Sequence, residues 1–190
     1  MKRILIGTLV GAIIFFGFQS AMWMGGFHDD IFNYSPKQDS LLQDMAGKGL
    51  TDGVYAIPFP DPNAKDKVKA REEFMKNSAG KPWAMVFYHS SMHGDEAGNI
   101  LRGAMHAFLA SLLVALILYN GRYASFLSRF MVSMAIAILA LCLCTFSDMN
   151  WWGYPWSFVK PQVMDLSIGW GLCSLWLAYY VKNGAVAGKE

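Results

Sequence analysis

Four long apolar runs, separated by polar stretches of unequal length, dominate the pattern of this chain. They cover residues 4–23, 104–119, 130–146 and 163–181. Each run is close to the ~20 residues that a helix needs to cross a hydrocarbon layer of ~30 Å. Only helices and closed barrels satisfy their backbone hydrogen bonds in lipid, and these runs lack the alternation of barrel strands. The pattern therefore predicts an all-α integral membrane protein with four transmembrane helices.

The first apolar run has one feature of a secretory signal, because Lys2 and Arg3 precede it. Two other features favour retention of the segment. Residues 19–21 make a poor small-x-small cleavage site, and the apolar stretch continues to Trp23, beyond a usual signal core. Residues 1–24 are therefore predicted to be an N-terminal transmembrane anchor helix.

The placement of lysine and arginine near the helix ends predicts the orientation, because these residues favour the cytoplasmic side. Only Lys160 lies between helices three and four. Three basic groups fall on the opposite side, before helix one, between helices two and three, and after helix four: Lys2 and Arg3, Arg122 and Arg129, and Lys182 and Lys189. Both termini are therefore predicted to be cytoplasmic. Residues 25–101 become a periplasmic segment, residues 102–183 a three-helix membrane region, and residues 184–190 a short cytoplasmic tail.

Composition agrees with a membrane protein and narrows its class. The chain of 190 residues is 54% hydrophobic and 16% charged, against roughly a quarter charged in soluble domains. Its formal net charge is +2 without a basic cluster, so no nucleic-acid partner is predicted. Cys142, Cys144 and Cys173 all lie in predicted membrane helices and form no C-x-x-C motif. The periplasmic segment therefore has no disulfide.

The periplasmic segment, residues 25–101, is predicted to be a small α+β unit. "SPKQDSLLQDMAGKG" and "DKVKAREEFMKNSAG" are typical of helices, whereas "GVYAI" and "AMVFY" are typical of short strands. The order is helix, strand, helix, strand. A unit of about 75 residues without disulfides is marginal by itself. We expect it to rest on the membrane helices or on a partner.

Three short motifs carry a family resemblance. The anchor helix contains "GTLVG", and the periplasmic segment contains "GVYAIP" and "GKPWAMVFY". In this combination the chain resembles a family of small bacterial inner-membrane proteins with one anchor helix, a periplasmic segment of this size and three closing helices. The resemblance implies this topology and no activity.

The histidines near residue 90 are candidates for a metal site. If residues 88–98 formed one helix, His89, His93 and Glu96 would share a face, and His28 could join them. Two imidazoles and a carboxylate can bind zinc or iron. However, Ser90, Ser91 and Asp95 are all natural helix N-caps and the preceding run is strand-like, so the helix is expected to begin between residues 91 and 95. A polar collar without a metal is the favoured interpretation.

No cofactor is predicted. His106 lacks the second intramembrane histidine that a b-type haem usually takes, so a hydrogen bond to a neighbouring helix is expected. The interiors of helices two and three contain no Asp, Glu, Lys, Arg or Pro, and no proline accompanies Gly169 and Gly171 in helix four. These features disfavour a pump or a proton-coupled carrier.

Small residues recur at helical spacing in every apolar run, which predicts close helix packing in lipid. The predicted packing stripes are Gly7 and Gly11; Ala104, Ala107, Ser111 and Ala115; Ser133, Ala137, Ala140 and Cys144; and Ser167, Gly171, Ser174 and Ala178.

The connection between helices three and four, residues 148–161, is unusually aromatic and is predicted to be a loop. Trp151, Trp152 and Trp156 suit the lipid headgroup level, and tryptophan also dominates protein-interface hot spots. The sequence thus favours a non-catalytic protein of the bacterial inner membrane, an accessory or structural subunit of a larger complex. The alternative is a membrane enzyme or metal-binding protein using the histidine and acid cluster.

Overall fold

The computed structural model describes residues 1–92 and 94–182, and the protein is mostly helical (67%) with one small sheet. The helices are α1 (Lys2–Met24), α2 (Gln38–Gly47), α3 (Lys67–Ser78), α4 (Glu96–Asn120), α5 (Phe126–Ala140), α6 (Phe146–Trp152), α7 (Trp156–Met164) and α8 (Trp170–Tyr180). Two π-helical turns, π1 (Leu141–Thr145) and π2 (Asp165–Gly169), interrupt them, and the strands are β1 (Gly53–Ile57) and β2 (Ala84–Tyr88).

Three helices in the described part of the chain are long and apolar enough to cross a membrane. They are Lys2–Met24, Glu96–Asn120 and the continuous helix Phe126–Trp152. These helices indicate a membrane protein. Residues 156–180 form a fourth continuous helix, α7–π2–α8, which does not reach the same apolarity because it carries Lys160, Asp165 and several small polar residues. The fourth span therefore stays a prediction.

The predicted loop at residues 148–161 is wrong. Helix α6 continues to Trp152 and α7 starts at Trp156, so only residues 153–155 are non-helical. The chain reverses in three residues because Gly153 adopts a left-handed conformation, with φ of 67°, and the following Pro155 is the N-cap of α7. The tryptophans therefore lie on helix ends, where their positions are fixed.

Residues 1–33 and 95–182 belong to one compact helical unit, in which α8 packs against α1 and α5, and α1 also packs against α4. Close approach depends on the predicted small residues of α1. A side chain at Gly7 would meet Val181 at 2.6 Å, and one at Gly11 would meet Cys173 and Ser111 at 3.2 Å. Small residues thus set the helix spacing.

Short hydrogen bonds join the packed faces of the helices inside this unit. The Ser133 and Ser174 hydroxyls lie 2.7 Å apart, and both residues are fully buried. The Trp170 indole donates to the Ser133 carbonyl at 3.1 Å. Buried Arg129 donates to the Ala178 carbonyl at 2.7 Å and so satisfies an acceptor at the end of α8. Hydrogen bonds of this kind join helices where a hydrophobic driving force is missing.

The π turns displace two of the predicted stripes. In the third helix Ser133 and Ala137 are buried as expected, but Cys144 is exposed and Thr145 is buried instead. In the fourth helix Ser174 and Ala178 are buried, whereas Ser167 is exposed. A π turn adds one residue to a helical turn, so a stripe counted at regular spacing shifts by one position when it crosses one.

The second compact unit comprises residues 34–94, of which 93 is not described. The predicted order of helix, strand, helix and strand is confirmed as α2, β1, α3 and β2. The strands pair antiparallel, with Val54 opposite Phe87 and Tyr55 opposite Val86. Among the described residues of this unit, only Tyr88 is buried. The unit therefore has very little core of its own.

Candidate functional site

Three of the four residues weighed as a metal site, His28, His89 and Glu96, lie in the described part of the chain. His89 has a side chain that is 67% exposed, with its Nδ1 3.8 Å from an Asp52 oxygen. Glu96 is exposed as the first residue of α4, whose N-cap is Asp95 as expected. His93 lies outside the described residues. Within residues 1–92 and 94–182, no three His, Cys, Asp or Glu residues are grouped closely enough to hold a metal ion.

His28 is the most deeply buried histidine in the described chain. It lies in the turn after α1, is 2% exposed, and neither ring nitrogen has a hydrogen-bond partner. The imidazole and the Trp23 ring pack edge to face, with ring centroids 5.1 Å apart. An imidazole without partners is unusual, because buried polar groups are nearly always hydrogen-bonded. Burial thus places a titratable group where solvent does not reach it.

Asp165 provides a second buried polar group in the same unit. Its Oδ2 accepts a hydrogen bond from Gln19 Nε2 at 2.8 Å, whereas its Oδ1 is buried without a partner. Gln19 and Trp23 are four residues apart in α1 and therefore share a face. Since Gln19 contacts Asp165 and Trp23 contacts His28, both ionisable groups lie beside this face.

An ion pair joins Asp30, in the turn after α1, to Lys160 of α7. Lys160 Nζ donates to both oxygens of Asp30, at 2.6 and 2.8 Å, and so ties the turn after α1 to α7. The hydrogen bond from Lys160 holds the pKa of Asp30 below its usual value of 3.8. Asp30 is 60% exposed and Lys160 is 29% exposed by side chain, so solvent screens much of this attraction.

The local helix geometry explains how Asp165 reaches this position. Asp165 is the first residue of π2, and its carbonyl accepts from the Trp170 backbone N–H. Such turns occur frequently at functional sites because they reorient one side chain of a helix. On the facing helix, π1 supplies Thr145, whose hydroxyl donates to Gln162 at 3.1 Å. Both π turns thus carry polar side chains into the interior.

The expectation that no proline interrupts the fourth helix is wrong. That helix begins at Trp156, earlier than the apolar run, and contains buried Pro161. A side chain at Gly169 would meet the Phe18 ring at 2.5 Å, so α1 approaches closely at this point. His106 also differs from expectation, because it is exposed on α4 and makes no hydrogen bond to a described residue. The irregular part of the fourth helix therefore lies around Asp165, between Pro161 and Gly169.

Sequence reasoning missed the contact between Gln19 and Asp165. The available signal was that each is a polar residue within an otherwise apolar run. In a membrane helix such residues mark sites or partners by default. The partner of each one depends on helix rotation, which periodicity does not give for residues 146 positions apart.

The aromatic segment, which we define as residues 151–156, forms an exposed surface beside these helices. Trp151, Trp152 and Trp156 are 76%, 51% and 54% exposed. The rings of Tyr154 and Phe158 pack edge to face, with centroids 5.1 Å apart. This contact joins the chain reversal to α7. Three large side chains on one rigid reversal are suited to insertion into lipid headgroups or into a protein surface.

Comparison of the chain with known protein families, with curated proteins and with solved structures gives no match.

Proposed function

We propose that this chain is a non-catalytic, four-span protein of the bacterial inner membrane, and that it serves as an accessory subunit of a larger membrane complex. The observation that carries the proposal is the exposed aromatic segment, with Trp151, Trp152 and Trp156 all more than half exposed. Burying a tryptophan side chain of this short chain reversal in an interface costs little conformational entropy.

The packing of the fourth helix supports four spans. Helix α8 packs against helices that are apolar enough to cross a membrane. Four of its residues are fully buried there: Cys173, Ser174, Leu177 and Ala178. A helix enclosed by membrane helices shares their environment, and its small polar residues face protein instead of lipid. The lysine and arginine placement then favours cytoplasmic termini and a periplasmic 34–94 unit.

The sparse core of the 34–94 unit supports a role in assembly. Leu41, Val54, Phe59 and Phe87 are each at least half exposed, and only Tyr88 is buried among the described residues. Apolar side chains left uncovered to this extent are typical of surfaces that are buried in an assembly. Two separate surfaces therefore support the proposal: the aromatic segment and the exposed apolar side chains of the 34–94 unit.

The test is co-purification from native membranes in mild detergent, comparing the parent with a variant in which Trp151, Trp152 and Trp156 are alanine. Any hot spot among them contributes ~2 kcal/mol or more, so partner retention should fall at least about thirtyfold. A suitable control is Tyr179→Ala, because Tyr179 is 67% exposed near the opposite end of the fourth helix.

The expected result is loss of partners from the triple variant and retention by the control at equal membrane expression. A parent protein that migrates as a lone monomer under the gentlest conditions would overturn the proposal. Full retention of partners by the triple variant would show that the tryptophans face only lipid, and this outcome also contradicts it.

A further inference from the structure

Helix α4 carries polar side chains on the side that faces away from the other helices. It packs mainly on α1, and the residues it buries include Ala107, Ser111 and Ala115. Another side is exposed, and its residues recur at intervals of three or four, so they lie in one row along the helix. We call this row the outer stripe of α4, and it consists of Asp95, Asn99, Arg102, His106, Leu109, Leu113 and Ile117.

His106 lies well inside the apolar span of α4. It follows Glu96 by ten residues and precedes Asn120 by fourteen, so it is about 15 and 21 Å from the two ends of the helix. Ionisable side chains within membrane spans almost always face the interior of a helix bundle and pair with another group. His106 is exposed instead and makes no hydrogen bond to a described residue. The outer stripe therefore has the chemistry of a covered surface.

The exposed sides of the other two long apolar helices lack this feature. Residues 5–21 of α1 and residues 130–147 of the helix α5–π1–α6 contain no Asp, Glu, Lys, Arg or His. Their exposed large side chains include Ile13 and Leu139, which suit contact with lipid. Of these three helices, α4 is therefore the one whose exposed side is matched to a polar neighbour.

Arg102 specifies the chemistry of that neighbour. Its Nη2 donates to Asn99 Oδ1 at 2.8 Å and to Asp95 Oδ2 at 3.3 Å. A guanidinium has five donors on three nitrogens, and Nε and Nη1 of Arg102 donate to no described acceptor. His106 is four residues further along the same stripe, and an imidazole also has a donor to offer. A carboxylate suits this surface, because it accepts from a guanidinium in bidentate geometry and from an imidazole.

A second copy of this chain does not supply that carboxylate. Two copies in the same membrane orientation are related by an axis along the membrane normal, so pairing through α4 would bring Arg102 of both copies together. Like charges brought together across an interface are strongly unfavourable. Resting on the proposed subunit role, we infer that the outer stripe of α4 is the docking site for a transmembrane helix of another subunit, which carries Asp or Glu level with Arg102 and His106.

The first experiment identifies the occupant of the outer stripe. The photo-reactive residue p-benzoyl-phenylalanine replaces Leu109 or Leu113 in the full-length protein, and native membranes are irradiated. Ile13 of α1 and Leu139 of α5 are matched controls, because they are 62% and 56% exposed against 50% and 61% for the test positions. The expected adduct forms at both α4 positions and at neither control. Its partner peptide lies in an apolar segment of about 20 residues that contains Asp or Glu.

The second experiment tests the chemistry of the contact by co-purification in mild detergent. Arg102→Gln removes one member of a desolvated charge pair and should lower retention of the partner at least about thirtyfold. His106→Leu should lower it about threefold to twentyfold, which is the range for a hydrogen bond between membrane helices. His106→Gln keeps a donor and an acceptor, so it should retain more of the partner than His106→Leu does.

Asp95→Asn is the matched control for Arg102→Gln. It removes the ion pair that Arg102 makes within α4, at 3.3 Å, while asparagine remains a good N-cap for the helix. The guanidinium then stays available to the partner, so retention should change less than about twofold. Equal losses in Asp95→Asn and Arg102→Gln would show that the start of α4 matters instead of a contact with the partner, and this outcome overturns the inference.

The identity of the cross-linked peptide is equally decisive. A peptide from this chain overturns the inference, because the occupant would then be a second copy. A peptide without an acidic residue, a peptide from outside a membrane helix, or the absence of adducts at both α4 positions also overturns it. If the parent keeps its partners and the Arg102 and His106 variants keep them equally well, the subunit role still stands and only this inference fails.

Discussion

The helical unit and the 34–94 unit differ in which side chains they bury and in how many. The helical unit buries serine, threonine and arginine between helices and leaves Leu5, Leu9 and Ile13 exposed on α1. Among its described residues, the 34–94 unit buries almost none of its apolar side chains and forms one two-stranded sheet. An isolated two-stranded sheet is marginal in water. The contrast indicates that stability in the first unit comes from close fit, and in the second from local polar contacts.

The largest expected effect tests the close fit of the helical unit. Gly11→Leu inserts a side chain where even one carbon would meet three neighbours within 3.3 Å, so we expect destabilisation of about 2 kcal/mol or more. Gly17→Leu on the same helix is the control, because a side chain there meets nothing within 4 Å. Thermal unfolding in mild detergent measures both. Equal losses in the two variants would contradict packing by small residues.

A smaller effect is expected from the polar contacts of the 34–94 unit. The Asp52 carboxylate accepts from the Ser90 backbone N–H at 2.8 Å and from its hydroxyl at 2.6 Å, beside the end of the strand pair. Asp52→Ala should speed amide exchange in residues 84–88 about tenfold, since such bonds contribute on the order of 1–3 kcal/mol. Exchange in α4 and α8 should be unchanged.

The control for this second prediction is Asp61→Ala. The Asp61 carboxylate accepts only a local hydrogen bond from the Asn63 backbone N–H at 2.9 Å, away from β2. If both variants accelerated exchange in β2 equally, the contact between Asp52 and Ser90 would not be what holds the strand pair together.

The smallest effect concerns the ion pair between Asp30 and Lys160 in the helical unit. Because the folded pKa of Asp30 is below its usual 3.8, the pair stabilises the fold above that value and loses its contribution as pH falls through the folded pKa. The parent should therefore unfold at a higher temperature than Asp30→Asn near about pH 6, and the difference should vanish in acid. A difference that persists once Asp30 is protonated would exclude a charge-based contribution.

Local features of the fold were predictable because their causes are local. Asp95 was one of three residues expected as the N-cap of α4, and its carboxylate accepts from the Gly98 backbone N–H at 2.9 Å. Asp66 caps α3 in the same way, and Lys69 approaches Glu73 across one helical turn. The strand order also followed from short alternating runs. Each of these features depends on residues within four positions of one another.

The candidate site was predictable only in part. Gln19 and Asp165 are polar residues within apolar runs, but nothing in the sequence paired them. His28 was considered as a recruit to His89, whereas it is buried beside Trp23 in the helical unit. Burial of a turn residue depends on how the chain folds back after α1, which involves contacts with distant helices.

The sequence by itself determined which apolar runs become long helices, several of the residues that permit close approach, and the start of α4. Tertiary structure decided which side chains meet. Thr145 replaced Cys144 in the interior because a π turn shifted the register, and Asp165 reached Gln19 through a similar turn. The physical reason is that propensity and capping act within a few residues. The rotation of a helix about its axis is instead fixed by packing against neighbours far away in the chain.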